Sequence, residues 1–135
     1  MTNYEYEHTE TTTAKTNAVW ALWANVNRWT DWDTSVKSVT IDGPFEVGST
    51  GTMIIDGQPP IPYRLVEVTA GRSFADVTEI PGATLRFVHT LDEVDGRTVV
   101  THRVEIEGEQ AAELGPMVTE DVPDAVRGLV KLAEA

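Results

Sequence analysis

Residues 85–106 read LRFVHTLDEVDGRTVVTHRVEI, two alternating runs on either side of Asp95-Gly96. Asp-Gly between alternating runs is the strongest short hairpin signal, because both loop residues of a type I′ turn need positive φ. With Asp95 and Gly96 as the loop, Val94 faces Arg97 and every later pair is fixed. Leu91 faces Val100, His89 faces His102, Phe87 faces Val104 and Leu85 faces Ile106. These residues share one face and make it apolar. The other face pairs Arg86 with Glu105, Val88 with Arg103 and Thr90 with Thr101, which are favourable cross-strand combinations. A slip of one residue would undo this sorting. The reading therefore places two histidines opposite each other in the middle of an apolar sheet face.

Outward from this hairpin, the preceding run Ser73–Ile80 joins it through Pro81-Gly82. If Ile80 faces Ala83, Phe74 lies across from His89 and Asp76 becomes a diagonal neighbour of His89, placed to orient it. Earlier runs at Val36–Asp42, Thr52–Ile55 and Tyr63–Thr69 read as strands separated by Gly- and Pro-rich turns. Tyr4–Glu10 alternates and reads as a first strand. Thr11, Thr12 and Thr13 are candidate caps for the helix that follows. In that helix Val19, Leu22, Trp23 and Val26 form one apolar stripe. A second short helical piece spans Asn25–Asp33, so all four tryptophans lie in two adjoining helices. After Gly108, apolar residues from Leu114 to Leu132 follow helical spacing, with Pro123 expected to kink or split the helix.

This order predicts an α+β fold in a single domain covering 1–135. A curved seven-stranded antiparallel sheet wraps a long C-terminal helix, with two short helices after the first strand. One amphipathic helix cannot fill the concave face of such a sheet, and the shortfall can appear as a cavity.

Composition narrows the function. The 135 residues carry 22 acidic and 10 basic side chains, a net charge of −12, with no basic cluster. Nucleic acid and anionic membranes are disfavoured partners. No run is long enough to insert in a bilayer. The absence of cysteine excludes disulfides and thiol catalysis and fits a cytoplasmic setting. Gly43, Gly48 and Gly51 do not form a phosphate loop, and no nucleophile elbow is present.

Three segments carry a resemblance: AVWALWANVNRWTDWDTSV (18–36), GPFEVGSTGTM (43–53), and the hairpin with its continuation to Gly108. The closing DVPDAVRGLVKLAEA (121–135) adds to it. Together they resemble the polyketide cyclase/dehydrase and lipid-transport superfamily, the START-like or Bet v 1-like helix-grip proteins (SRPBCC). The resemblance implies a ligand cavity between the sheet and the terminal helix. No cyclase's catalytic set maps onto this chain residue by residue.

The candidate site follows from both readings. His89 and His102, with Asp76, are the catalytic candidates. Neutral imidazole both donates and accepts a hydrogen bond, and an apolar wall holds it neutral. The plainer alternative is a structural polar pair bonded to each other or to water. Phe87, Phe74, Val104, Trp29, Trp32, Tyr6, Tyr63, Val118 and Val122 are the further ligand-binding candidates. His8 reaches the same face if the first strand lies beside the last, as the family implies, yet no metal-ligand spacing is present. The expected function is binding of a small hydrophobic, cyclic or polyketide- or lipid-like molecule, by a monomer or homodimer. The alternative is a cofactor-free cyclase or dehydratase. A co-chaperone-like protein would need a large exposed apolar patch, and none is evident.

Overall fold

The computed structural model describes residues 3–135. Seven antiparallel strands form one sheet in the order β1-β7-β6-β5-β4-β3-β2. They are β1 Tyr4–Thr12, β2 Val36–Asp42, β3 Thr50–Ile55, β4 Ile61–Thr69, β5 Ser73–Ile80, β6 Ala83–Val94 and β7 Arg97–Glu107. Between β1 and β2 lie α1 (Thr16–Ala24), a 3₁₀ turn (Val26–Arg28) and α2 (Trp29–Trp32). The chain closes with α3 (Ala111–Thr119) and α4 (Val122–Ala133).

The central hairpin adopts the register that its sequence dictates. Asp95 and Gly96 have φ of 52° and 78°, and Val94 pairs with Arg97, His89 with His102 and Leu85 with Ile106. Its outer face carries an ion-pair ladder. Arg103 Nε donates to Glu105 at 2.8 Å, Nη2 to Glu5 at 2.6 Å and Nη1 to Glu7 at 3.0 Å, while Arg86 bridges Glu67 and Glu105. Thr101 bonds Thr9 at 2.9 Å. Pro81-Gly82 also yields the simple register, with Ile80 opposite Ala83 and Phe74 opposite His89; Gly82 supplies the positive φ.

Two expectations are corrected. The threonines after β1 do not cap α1. Thr11 and Thr12 continue the strand beside Val99 and Thr98, and α1 starts behind Lys15 with no side-chain cap. Thr12 instead donates to Glu134 at 2.5 Å and accepts from the Ala14 N–H at 3.0 Å, tying the strand end to the C-terminus. The terminal helical span also starts earlier, at Ala111. It is split at Glu120–Asp121, and Pro123 sits in the first turn of α4, where its missing N–H costs no helical bond.

Packing bends the sheet over these helices. β2 and β4 carry bulges at Val36/Ser38 and Leu65/Glu67, which curve their end of the sheet. Gly51 lets the Tyr63 ring lie flat across β3, where any side chain would strike the ring and the Thr40 carbonyl. The Tyr63 hydroxyl then donates to that carbonyl at 2.7 Å. The stripe of α1, with Trp29, Trp32, Phe74 and Leu129, forms the main core. A smaller cluster of Ala83, Leu85, Val104, Ile106 and Ala111 lies under α3. The space left between them is the site.

Candidate functional site: a cavity between sheet and terminal helices

A cavity of about 460 Å³ lies between β3–β7 on one side and α2, α3 and α4 on the other. Its wall is mostly apolar. Trp29, Trp32 and Tyr63 line it from the main core, Phe87, Val104, Val118 and Val122 from around the smaller cluster, and residues 58–62 complete the lining. Asp76, His89 and His102 enter from the sheet. Ten of the twelve residues singled out in the sequence thus meet here. Two do not. Tyr6 is half-buried on β1, outside the lining, because the terminal helices pack across that strand. Phe74 lies one layer behind the wall, 1% exposed and stacked flat on His89 with ring centroids 3.9 Å apart.

The two histidines form an edge-to-face pair with ring centroids 4.6 Å apart. They do not bond each other. His89 Nδ1 donates to the Phe74 carbonyl at 3.3 Å, which fixes the proton on Nδ1 and leaves Nε2 as an acceptor open to the cavity. His102 Nε2 is buried with no partner among the described residues, against the Trp23 and Trp32 rings. Burial pushes His89 down to about 3, although the Phe74 carbonyl pulls the other way. Burial also holds His102 well below the ordinary imidazole value, and positive charge on His89 or His8 would oppose its protonation further. Both rings are neutral at physiological pH.

Asp76 does not orient His89. The register places it diagonally, across from Phe87, and no hydrogen bond joins them. Only 6% of Asp76 is exposed and its carboxyl meets no hydrogen-bond donor among the described residues. Burial raises it to about 8. The same dry environment raises the Tyr63 phenol, with help from the Asp76 and Asp42 carboxylates. His8 pairs across from His102 but turns to Glu10, with Nε2 2.5 Å from its carboxylate. Among the described residues, no cluster of three or more His, Cys, Asp or Glu side chains could hold a metal ion.

Sequence reading missed six polar lining residues: Asp33, Ser35, Gln58, Thr78, Arg103 and Asp121. Thr78 was accessible to it, since it follows Asp76 by two on the same strand face; its hydroxyl donates to the Pro62 carbonyl at 2.9 Å. Asp33 and Asp121 carried no local signal. They reach the cavity from the end of α2 and from the α3–α4 break. Burial raises Asp33 above its ordinary value; bonds from Ser35 oppose the shift, and the Asp121 charge adds to it.

A curved antiparallel sheet gripping a C-terminal helical pair over a lined cavity defines the helix-grip class of proteins. The chain belongs to the family described as polyketide cyclase / dehydrase and lipid transport, whose sequence pattern matches residues 4–134. Three solved structures show the same fold. An aromatase/cyclase, ZhuI, from Streptomyces sp. R1128 superposes with a TM-score of 0.81 at 17% identity, over 97% of this chain and 93% of that one. Protein NE0264 from Nitrosomonas europaea gives 0.78 at 14%, covering 96% and 94%. A truncated norcoclaurine synthase from Thalictrum flavum gives 0.76 at 13%, covering 96% and 92%. No curated protein matches the sequence. No helix of the described residues is long and apolar enough to cross a membrane.

Proposed function

We propose that this protein binds a small, largely apolar, cyclic molecule in the cavity. One observation carries the reading: a largely apolar wall into which Asp76 and His89 Nε2 each present a polar atom that no described protein group satisfies. Small-molecule sites have this make-up, and about 460 Å³ falls within their size range. Unpaired polar groups in a dry wall are costly unless a bound molecule meets them. The test is fluorescence titration with N-phenyl-1-naphthylamine, a neutral three-ring probe. Saturable one-to-one binding is expected, and the Val118→Trp variant, which fills the cavity from α3, should abolish it. Equal binding by that variant would move the site elsewhere and sink the reading.

A second reading is a cofactor-free cyclase or dehydratase. What favours it is Asp76, since a carboxyl near 8 is well matched to proton transfer at neutral pH. The histidines suit it less: an imidazole held near 3 is a weak base. The acid–base work then falls to Asp76, with His89 accepting a hydrogen bond. Incubation with a poly-β-carbonyl thioester should give a cyclised product that Asp76→Asn loses while retaining probe binding. Unchanged turnover by Asp76→Asn would remove this reading.

A further inference from the structure

Every ionisable side chain that can reach the cavity with its charge is acidic or neutral. Asp76 enters from β5, Asp33 from the end of α2, and Asp121 from the α3–α4 break. Among the described residues, Arg103 is the one Lys or Arg in the lining, and its guanidinium is turned to the outer face, held by Glu5, Glu7 and Glu105. A carboxylate or phosphate ligand would meet no free cation here. It would also meet the Asp33 and Asp121 carboxyls in the lining, on a chain of net charge −12.

The acidic residues alone would be a solvated cluster, but Asp76 is not solvated. It is 94% buried, lines the cavity and has no donor among the described residues. The groups facing it are Tyr63 on β4, Thr78 on its own strand, and His89 and His102 beyond Phe87, all neutral near pH 7. None can neutralise a carboxylate. Phe87 lies across from it and Tyr63 is near it, and the rings of Trp29 and Trp32 line the same cavity; such ring faces attract a cation once water is excluded.

From this arrangement we infer that the cavity selects a ligand carrying a protonated amine on an apolar ring system, with the ammonium paired to Asp76. This inference rests on the cavity-binding reading and deepens it. The ammonium supplies the missing donor and charge for Asp76, and the Asp33 and Asp121 carboxyls in the lining favour a cation. His89 Nε2 remains free to accept from a hydroxyl or a second N–H of the same molecule. Because the empty-site carboxyl is raised to about 8, binding an ammonium below that pH releases one proton.

Three ligands with one ring system test it: 2-(2-naphthyl)ethylamine, 2-(2-naphthyl)ethanol and 3-(2-naphthyl)propanoate. Each competes against N-phenyl-1-naphthylamine on the intact protein at pH 8.5. The amine should bind at least tenfold more tightly than the alcohol, and the carboxylate weakest. From pH 8 downward the amine's affinity should fall about tenfold per pH unit, while the alcohol's stays flat. In Asp76→Asn the amine should bind no more tightly than the alcohol, and its pH dependence should vanish. Probe binding with the alcohol or carboxylate equal to or tighter than the amine would overturn the amine inference and leave the cavity reading standing. So would an amine preference that survives in Asp76→Asn. No binding of the neutral probe would overturn both.

Discussion

Replacing Asp76 by Asn should change how stability depends on pH, in a window set by the structure. The ordinary carboxyl value is 3.8, and burial raises the folded one to about 8. Between these values the unfolded chain has lost the proton and the folded protein retains it. The stabilisation linked to this group is therefore fully present below 3.8 and is lost as pH rises toward 8. The loss is about 1.4 kcal/mol per pH unit for one proton. Starting at pH 6.5, the ordinary histidine value, leaves 1.5 pH units of the window, and the histidines common to both proteins cancel in the comparison. Across them the wild type should lose ~2 kcal/mol relative to Asp76→Asn, which has no proton to lose. Urea unfolding of both proteins, without ligand, at half-unit steps from pH 6 to 9 measures the difference. It should grow to pH 8 and then level off. A constant difference would mean that Asp76 titrates alike in folded and unfolded protein, and the dry, unpaired carboxyl would be refuted.

Three further outcomes follow from the same geometry. The buried neutral histidines give the opposite slope: as pH falls below 6.5 toward 3, the unfolded chain gains protons that folded His89 refuses. His89→Phe should therefore reduce acid destabilisation by about 1.4 kcal/mol per pH unit in that range, read from acid-dependent urea midpoints. Phe74→Ala removes a fully buried ring and should cost about 3–5 kcal/mol. It also uncovers one face of His89, so an NMR titration should show that imidazole moving back up toward 6.5. Gly51→Ala places a methyl against the Tyr63 ring and the Thr40 carbonyl; a loss of about 1–3 kcal/mol in thermal or urea unfolding is expected.

Much of the fold was legible because its key signals are local. Asp95-Gly96 fixes one register by turn chemistry alone, and a period of two then sorts twenty residues between faces. Pro81-Gly82 is a weaker hairpin signal than Asp-Gly, yet the same sorting of Phe74, Asp76 and His89 holds there, because burial of one face penalises a slip. The cap at Thr11–Thr13 failed for a tertiary reason: Thr12 found Glu134, more than a hundred residues away, and the strand ran on. Position in the sheet was readable, but side-chain direction was not. Asp76 sits beside His89 in register and still turns to the cavity instead of the ring. Asp33 and Asp121 were invisible because they converge only through the docking of α2 on α4. That docking depends on Gly128, where a side chain would strike the Trp32 carbonyl.

The central claim is that the space between the sheet and the terminal helices is an open ligand site and not a gap closed by aromatic rings. A crystal structure of the protein grown with N-phenyl-1-naphthylamine tests it most directly. One probe molecule is expected between Phe87 on the sheet side and Trp29, Trp32, Val118 and Val122 on the helix side, with Asp76 and His89 at the wall. A cavity filled by the Trp29 and Trp32 side chains, with the probe on the outer surface or absent, would contradict it.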